Sequence, residues 1–96
     1  VLVTGGSSGI GLATAHLFAA AGATTLICGR DRDKLDEACA AAEARGHAFV
    51  AYQADIADAA ECERLVQQVL AEHGAVDFLV NNAGRSIRRA IEASYD

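Results

Sequence analysis

The 96-residue chain has no proline, tryptophan or methionine, and aromatic residues make up only 5% of it. It is also poor in positive charge, with Lys+Arg 8 against Asp+Glu 13 and a formal net charge of −5. That balance excludes the basic footprint that nucleic acid or an anionic lipid surface requires. No apolar run approaches the roughly 18 residues of a membrane span. Nor do the first residues have the basic-then-apolar character of a secretory leader, so a soluble, cytoplasmic protein is expected. Cys28, Cys39 and Cys62 are odd in number and lack CxxC or Cys/His spacing. Neither a disulfide framework nor a zinc site is encoded, and the thiols read as small buried apolar residues. What is present in quantity is hydrophobic side chain, 52% of the residues, enough for a core.

The apolar period alternates between short strand-like runs and helical faces, with glycine or acidic turns at each change. Val1 to Thr4 predicts a strand, Gly5 to Gly9 a loop, and Ile10 to Ala21 a helix with Ile10, Ala13, Leu17 and Ala21 on its inner side, stopped by Gly22. A second strand is predicted over Ala23 to Cys28. The helix after it ends near Arg45, with Leu35, Ala38, Cys39 and Ala42 facing inward. Gly46 terminates that helix, and Ala48 to Gln53 reads as a third strand. Asp58 and Glu61 fit a capping box for a third helix, whose Cys62, Leu65, Val66, Val69 and Leu70 recur at helical spacing as far as Glu72. Val76 to Val80 predicts a fourth strand, and another helix begins near Ala90. Val1 opens within an apolar run without an initiator Met, and Asp96 closes soon after that last helix start. The expectation is therefore that residues 1–96 are a fragment, the N-terminal part of a single domain.

Continuous apolar strands separated by helices imply a doubly wound parallel α/β sheet with right-handed crossovers. The predicted strand order is 3-2-1-4, which places a ligand crevice at the carboxyl ends of strands one and four. Thr4-Gly5-Gly6-Ser7-Ser8-Gly9-Ile10-Gly11 joins strand to helix there. Backbone N–H groups and a helix N-terminus in that position can hold a phosphate, although a merely flexible turn is the alternative. The glycine spacing is neither GxGxxG nor a P-loop, since no Gly-Lys-Ser/Thr closes it. After strand two stand Gly29 and Arg30, where a carboxylate would receive the ribose hydroxyls of NAD. Glycine leaves room for a 2′-phosphate and a guanidinium can pair with it, so NADP is expected over NAD. The alternatives are that Arg30 is a solvated turn residue, or that Asp31 or Asp33 accepts from the ribose, although either could equally cap the following helix. Asp55 could accept from an adenine amino group, with Ile56 against the base, or could form an Asx turn before Asp58. Asn81-Asn82-Ala83-Gly84 follows strand four and completes the crevice, unless it is only a strand-terminating turn.

Taken together, Thr4-Gly5-x3-Gly9-x-Gly11, Asp55 and Asn81-Asn82-Ala83-Gly84 resemble the short-chain dehydrogenase/reductase superfamily, over essentially the whole chain. The resemblance implies a Rossmann-type cofactor site. Gly5, Ser7, Ser8 and Ile10 would contact phosphates and ribose within the loop that Gly9 and Gly11 complete. Arg30 would meet the 2′-phosphate, Asp55 and Ile56 the adenine, and Asn82, Ala83 and Gly84 the inner ribose. It also implies hydride transfer between NADP(H) and an alcohol/carbonyl pair on a small-molecule substrate. For the complete protein a homo-oligomer is expected. The stretch Asp77 to Arg89 further resembles reductases of fatty acyl-CoA or long-chain acyl substrates.

One departure weighs against activity in this chain alone. Family members carry a serine and a Tyr-x-x-x-Lys pair after the fourth-strand region, whereas Tyr95 is followed only by Asp96. No catalytic residue is therefore assigned. Lys34, the only lysine, reads as a surface charge, and His16, His47 and His73 have no nucleophile at useful spacing. Two other functions fit the fold: a nucleotide-binding or regulatory protein without chemistry, and a non-nucleotide module such as a flavodoxin-like partner domain.

Overall fold

A computed structural model describes residues 1–7 and 9–80. The elements run β1 (Leu2–Thr4), α1 (Gly9–Ala20), β2 (Thr25–Gly29), α2 (Arg32–Ala44), β3 (Phe49–Gln53), α3 (Ala59–His73) and β4 (Leu79–Val80). All strand pairs are parallel and the order is β3-β2-β1-β4, as predicted. In the register, Leu2 lies beside Leu26 and Leu79, Val3 beside Ile27 and Val80, and Cys28 beside Tyr52.

Because side chains alternate along a strand, this register sorts the apolar residues into two cores. Leu2, Leu26, Cys28 and Tyr52 pack with Cys62, Leu65, Val66 and Val69 of α3. Val3 and Ile27 pack on the other face with Ala15 of α1 and with Leu35 and Ala38 of α2. A sheet covered on both faces needs strands apolar at every position, which explains their unbroken hydrophobic runs.

The inner face of α1 differs from the one predicted. Gly11, Ala15 and Ala19 are buried, whereas Ile10 is 78% and Leu17 72% exposed, and Ala13 and Ala21 are exposed as well. Since α1 is apolar nearly all round, its pattern offers no polar side by contrast with which to identify the buried one. Small residues at i, i+4 and i+8 let the helix approach the sheet closely, and closeness selects the face over side-chain size.

The helix starts follow their capping side chains. Asp31 Oδ1 accepts from the N–H groups of Asp33 and Lys34 at 3.0 and 3.3 Å, and Asp58 Oδ1 from those of Ala60 and Glu61 at 2.9 and 3.3 Å. The capping box predicted for α3 is only half formed. Asp58 N–H already donates to Asp55 O, so Glu61 Oε1 reaches further back and accepts from Asp55 N–H at 3.1 Å.

Candidate functional site: the cavity at the ends of β1 and β2

The glycine loop follows β1 directly, and two contacts fix it to the sheet. Gly5 adopts φ 64°, which a side chain would strain, and its N–H donates to Cys28 O at 3.0 Å. At Gly6 a Cβ would stand 2.7 Å from Ile27 Cγ2, so only glycine lets the loop lie against β2. Thr4 Oγ1 donates to Val80 O at 3.3 Å, joining the ends of β1 and β4.

Beside this loop opens a cavity of about 430 Å³ lined by Gly5, Ser7, Gly29, Arg30, Asp31, Lys34, Ala54, Asp55, Ile56 and Ala57. The fold thus brings Gly5, Ser7, Arg30, Asp55 and Ile56 together. Gly9 and Ile10 are not in its lining, and Gly11 is buried against the sheet, where it allows close helix packing. Ser8, Asn82, Ala83 and Gly84 lie outside the described residues, as does the helix expected near Ala90.

Gly29 sits where a Cβ would be 3.2 Å from Ser7 Oγ, so the absent side chain keeps the space beside that hydroxyl open. The backbone following Gly29 is tied to the edge strand: Ala54 N–H donates to Gly29 O at 2.9 Å and Gln53 Nε2 to Arg30 O at 3.1 Å. The Arg30 side chain is exposed and has no partner among the described residues. Asp31, one of the alternative ribose acceptors, is engaged as the α2 cap. Asp55 forms the Asx turn, its Oδ1 accepting from Ala57 N–H at 3.0 Å, and the residue also lines the cavity. The Ile56 side chain is 6% exposed and belongs to the core under α3, so it offers the cavity little apolar surface. Lys34, read from the sequence as a surface charge, lines this cavity. Its position three residues into a capped helix was the available signal. A larger cleft of about 700 Å³ runs along β3 past Arg32, Arg64 and Gln68, sharing Arg30, Ala54 and Asp55 but lacking the glycine loop.

None of the three cysteine thiols is activated. Burial pushes the Cys28 thiol up to about 12, with Cys62 nearby adding to the shift. Burial likewise raises Cys39, and it raises Cys62 together with Asp58, Asp55 and Glu61. All three cysteines are free, and a thiol held protonated is a poor nucleophile. His16 packs with its ring centroid 5.1 Å from that of Phe49. Burial, then Arg45 and His47, lower its pKa, which suits a packed imidazole. No group of His, Cys, Asp and Glu among the described residues could hold a metal ion, and no described helix is long and apolar enough to cross a membrane.

A doubly wound parallel sheet with a glycine loop at its switch point defines the class as a nucleotide-binding type of α/β fold. Within that class the chain belongs to the short-chain dehydrogenase family, whose model matches residues 1–95. It is 47% identical over 95 residues to a fatty acyl-CoA reductase of Acinetobacter baylyi, covering 99% of this chain and 32% of that protein. Among solved structures, it superposes with a TM-score of 0.91 on a citronellol catabolism dehydrogenase of Pseudomonas aeruginosa at 30% identity, covering 97% of this chain and 48% of that one. An NADPH-bound short-chain oxidoreductase of the same organism, with an atypical catalytic centre, matches at TM-score 0.80 and 41% identity, over 88% of this chain and 34% of that one. The chain thus spans about a third of the length of the reductase it matches.

Proposed function

We propose that residues 1–96 form the N-terminal, cofactor-holding part of an NADP(H)-dependent oxidoreductase acting on an alcohol/carbonyl pair. The observation that carries the choice of cofactor is Arg30, exposed and without a partner among the described residues beside Gly29 in the wall of the cavity, where Asp31 also stands with its Oδ1 engaged as the α2 cap. A carboxylate there would select ribose hydroxyls, and a guanidinium selects a phosphate. The NADPH-bound relative supports the same choice.

In this assignment Ser7, Ser8 and Gly9 present backbone donors and hydroxyls to the pyrophosphate, near Ile10 and the start of α1, and Gly5, whose own N–H is taken by Cys28 O, shapes the turn beside them. Gly11 sets that helix close to the sheet. Asp55 Oδ2 and the Ile56 backbone address the adenine, and Asn82, Ala83 and Gly84 the inner ribose. When bound, the nicotinamide supplies the hydride acceptor or donor. The chain's own part is to bind and orient, because its sequence holds no Tyr-x-x-x-Lys pair to move the proton. Catalysis therefore belongs to the complete protein, for which we propose a homo-oligomer acting on long-chain acyl or aldehyde substrates, by likeness to the fatty acyl-CoA reductase. The free cysteines fit a reducing, cytoplasmic setting.

The test is Arg30→Asp in the complete protein. The ratio of kcat/KM for NADPH to that for NADH should fall by roughly 100-fold or more, since a charge pair becomes a repulsion. An unchanged ratio removes Arg30 from the site, and a complete protein with no preference for NADPH removes NADP(H) from the assignment.

A further inference from the structure

Three basic residues crowd the start of α2, and they are not equivalent. Arg32 is engaged, its Nε and Nη2 lying 3.1 and 3.0 Å from Asp36 Oδ1 on the outer surface of the helix. Arg30 and Lys34 line the cavity, and neither side chain has a partner among the described residues.

Lys34 occupies an unfavourable place for helix stability. It lies in the first turn of α2, where the helix dipole disfavours a cation. The N–H groups of Asp33 and Lys34 are already taken by Asp31, so they are not open to an anion. Anion recognition on this wall must therefore come from side chains. The charged lining residues are Arg30, Asp31, Lys34 and Asp55. With Arg30 alone against Asp31 and Asp55 the wall would be net negative and would repel a phosphomonoester, which carries nearly two negative charges near neutral pH. Lys34 brings the wall to neutrality and adds an ammonium donor. Local preference is overridden here, as it is where a residue serves a ligand.

We infer that Lys34 is a second determinant of 2′-phosphate recognition beside Arg30, resting on the NADP(H) assignment made above. Arg30 supplies a planar fork and Lys34 a mobile point charge.

The experiment uses the complete protein with Lys34→Ala, Lys34→Arg and Arg30→Ala. Dissociation constants for NADPH and NADH are read from nicotinamide fluorescence, and that for 2′,5′-ADP by calorimetry. Lys34→Ala should weaken NADPH and 2′,5′-ADP about tenfold and NADH by less than about twofold. Lys34→Arg should restore most of the loss. The melting temperature of Lys34→Ala should hold or rise, since the variant removes a cation from a helix start. An equal loss for both dinucleotides, or no loss for either, overturns the inference. If Arg30→Ala lowers the NADPH preference and Lys34→Ala does not, the role of Lys34 alone fails. If neither variant moves the preference, Arg30 and Lys34 are both removed from 2′-phosphate recognition and the inference falls; if the parent protein has no NADPH preference, the NADP(H) assignment falls and this inference with it.

Discussion

The helices on the two faces of the sheet meet it in different ways. Under α3 the core is made of side-chain bulk, with Leu65, Val66 and Val69 set against Leu2, Leu26 and Tyr52. On the other face α2 also brings bulk, in Leu35, but the buried residues of α1 are Gly11, Ala15 and Ala19. The helix with the small buried residues is the one that follows the glycine loop, and Gly6 against Ile27 shows the same economy of space. Bulk stabilises the contact under α3, and small residues shape the one under α1.

That contrast can be broken from both sides. Leu65→Ala should cost about 2–5 kcal/mol by leaving a cavity under α3. Ala15→Leu should cost about 1–3 kcal/mol by overpacking, and should also disturb the glycine loop and weaken cofactor binding, which Leu65→Ala should not. Urea unfolding paired with a cofactor titration separates the two; equal effects on binding would remove the distinction between the faces.

A finer comparison lies in the helix caps. Asp58→Ala and Asp31→Ala should each cost about 1 kcal/mol of stability. Only Asp31→Ala also removes a negative charge from the cavity wall, so it should tighten NADPH binding severalfold, by about 1 kcal/mol or less. Fluorescence titration of both variants checks this.

The smallest effect at neutral pH concerns Tyr52, whose hydroxyl lies 3.0 Å from Glu72 Oε2 and from His73 Nε2. Burial, and then Glu72, raise its pKa to about 12. An unfolded tyrosine gives up its proton near pH ~10. Between about pH 10 and 12 the unfolded chain therefore binds fewer protons, and stability falls as pH rises through that window. Tyr52→Phe should cost about 1 kcal/mol at neutral pH and lose this part of the alkaline decline. Cys28, also held near 12, keeps its own part. Unfolding curves of both proteins across that range provide the measurement.

These differences also mark what was legible in the sequence. The strand order followed from the alternation of buried runs and helices, and α3 from the contrast between Leu65 or Val69 and the charged residues around them. On α1, where Ile10 and Leu17 look as apolar as Ala15, contrast is absent and the inner face could not be read. Of the candidate site, the position of Arg30 after a buried strand was legible, and the structure puts it in the cavity wall. The Asp31 cap was among the alternatives the sequence offered. What was not legible is which neighbour claims a group first, with Glu61 engaged on Asp55 N–H and Arg32 on Asp36 while Lys34 lines the cavity.

The backbone on either side of Arg30 is held by groups that ignore its side chain, namely Ala54 N–H on Gly29 O and Gln53 Nε2 on Arg30 O. The identity of residue 30 is thereby decoupled from the integrity of the fold. Under the cofactor assignment proposed above, a lineage can exchange residue 30 and draw on a different pool of reducing equivalents, without passing through an intermediate that fails to fold.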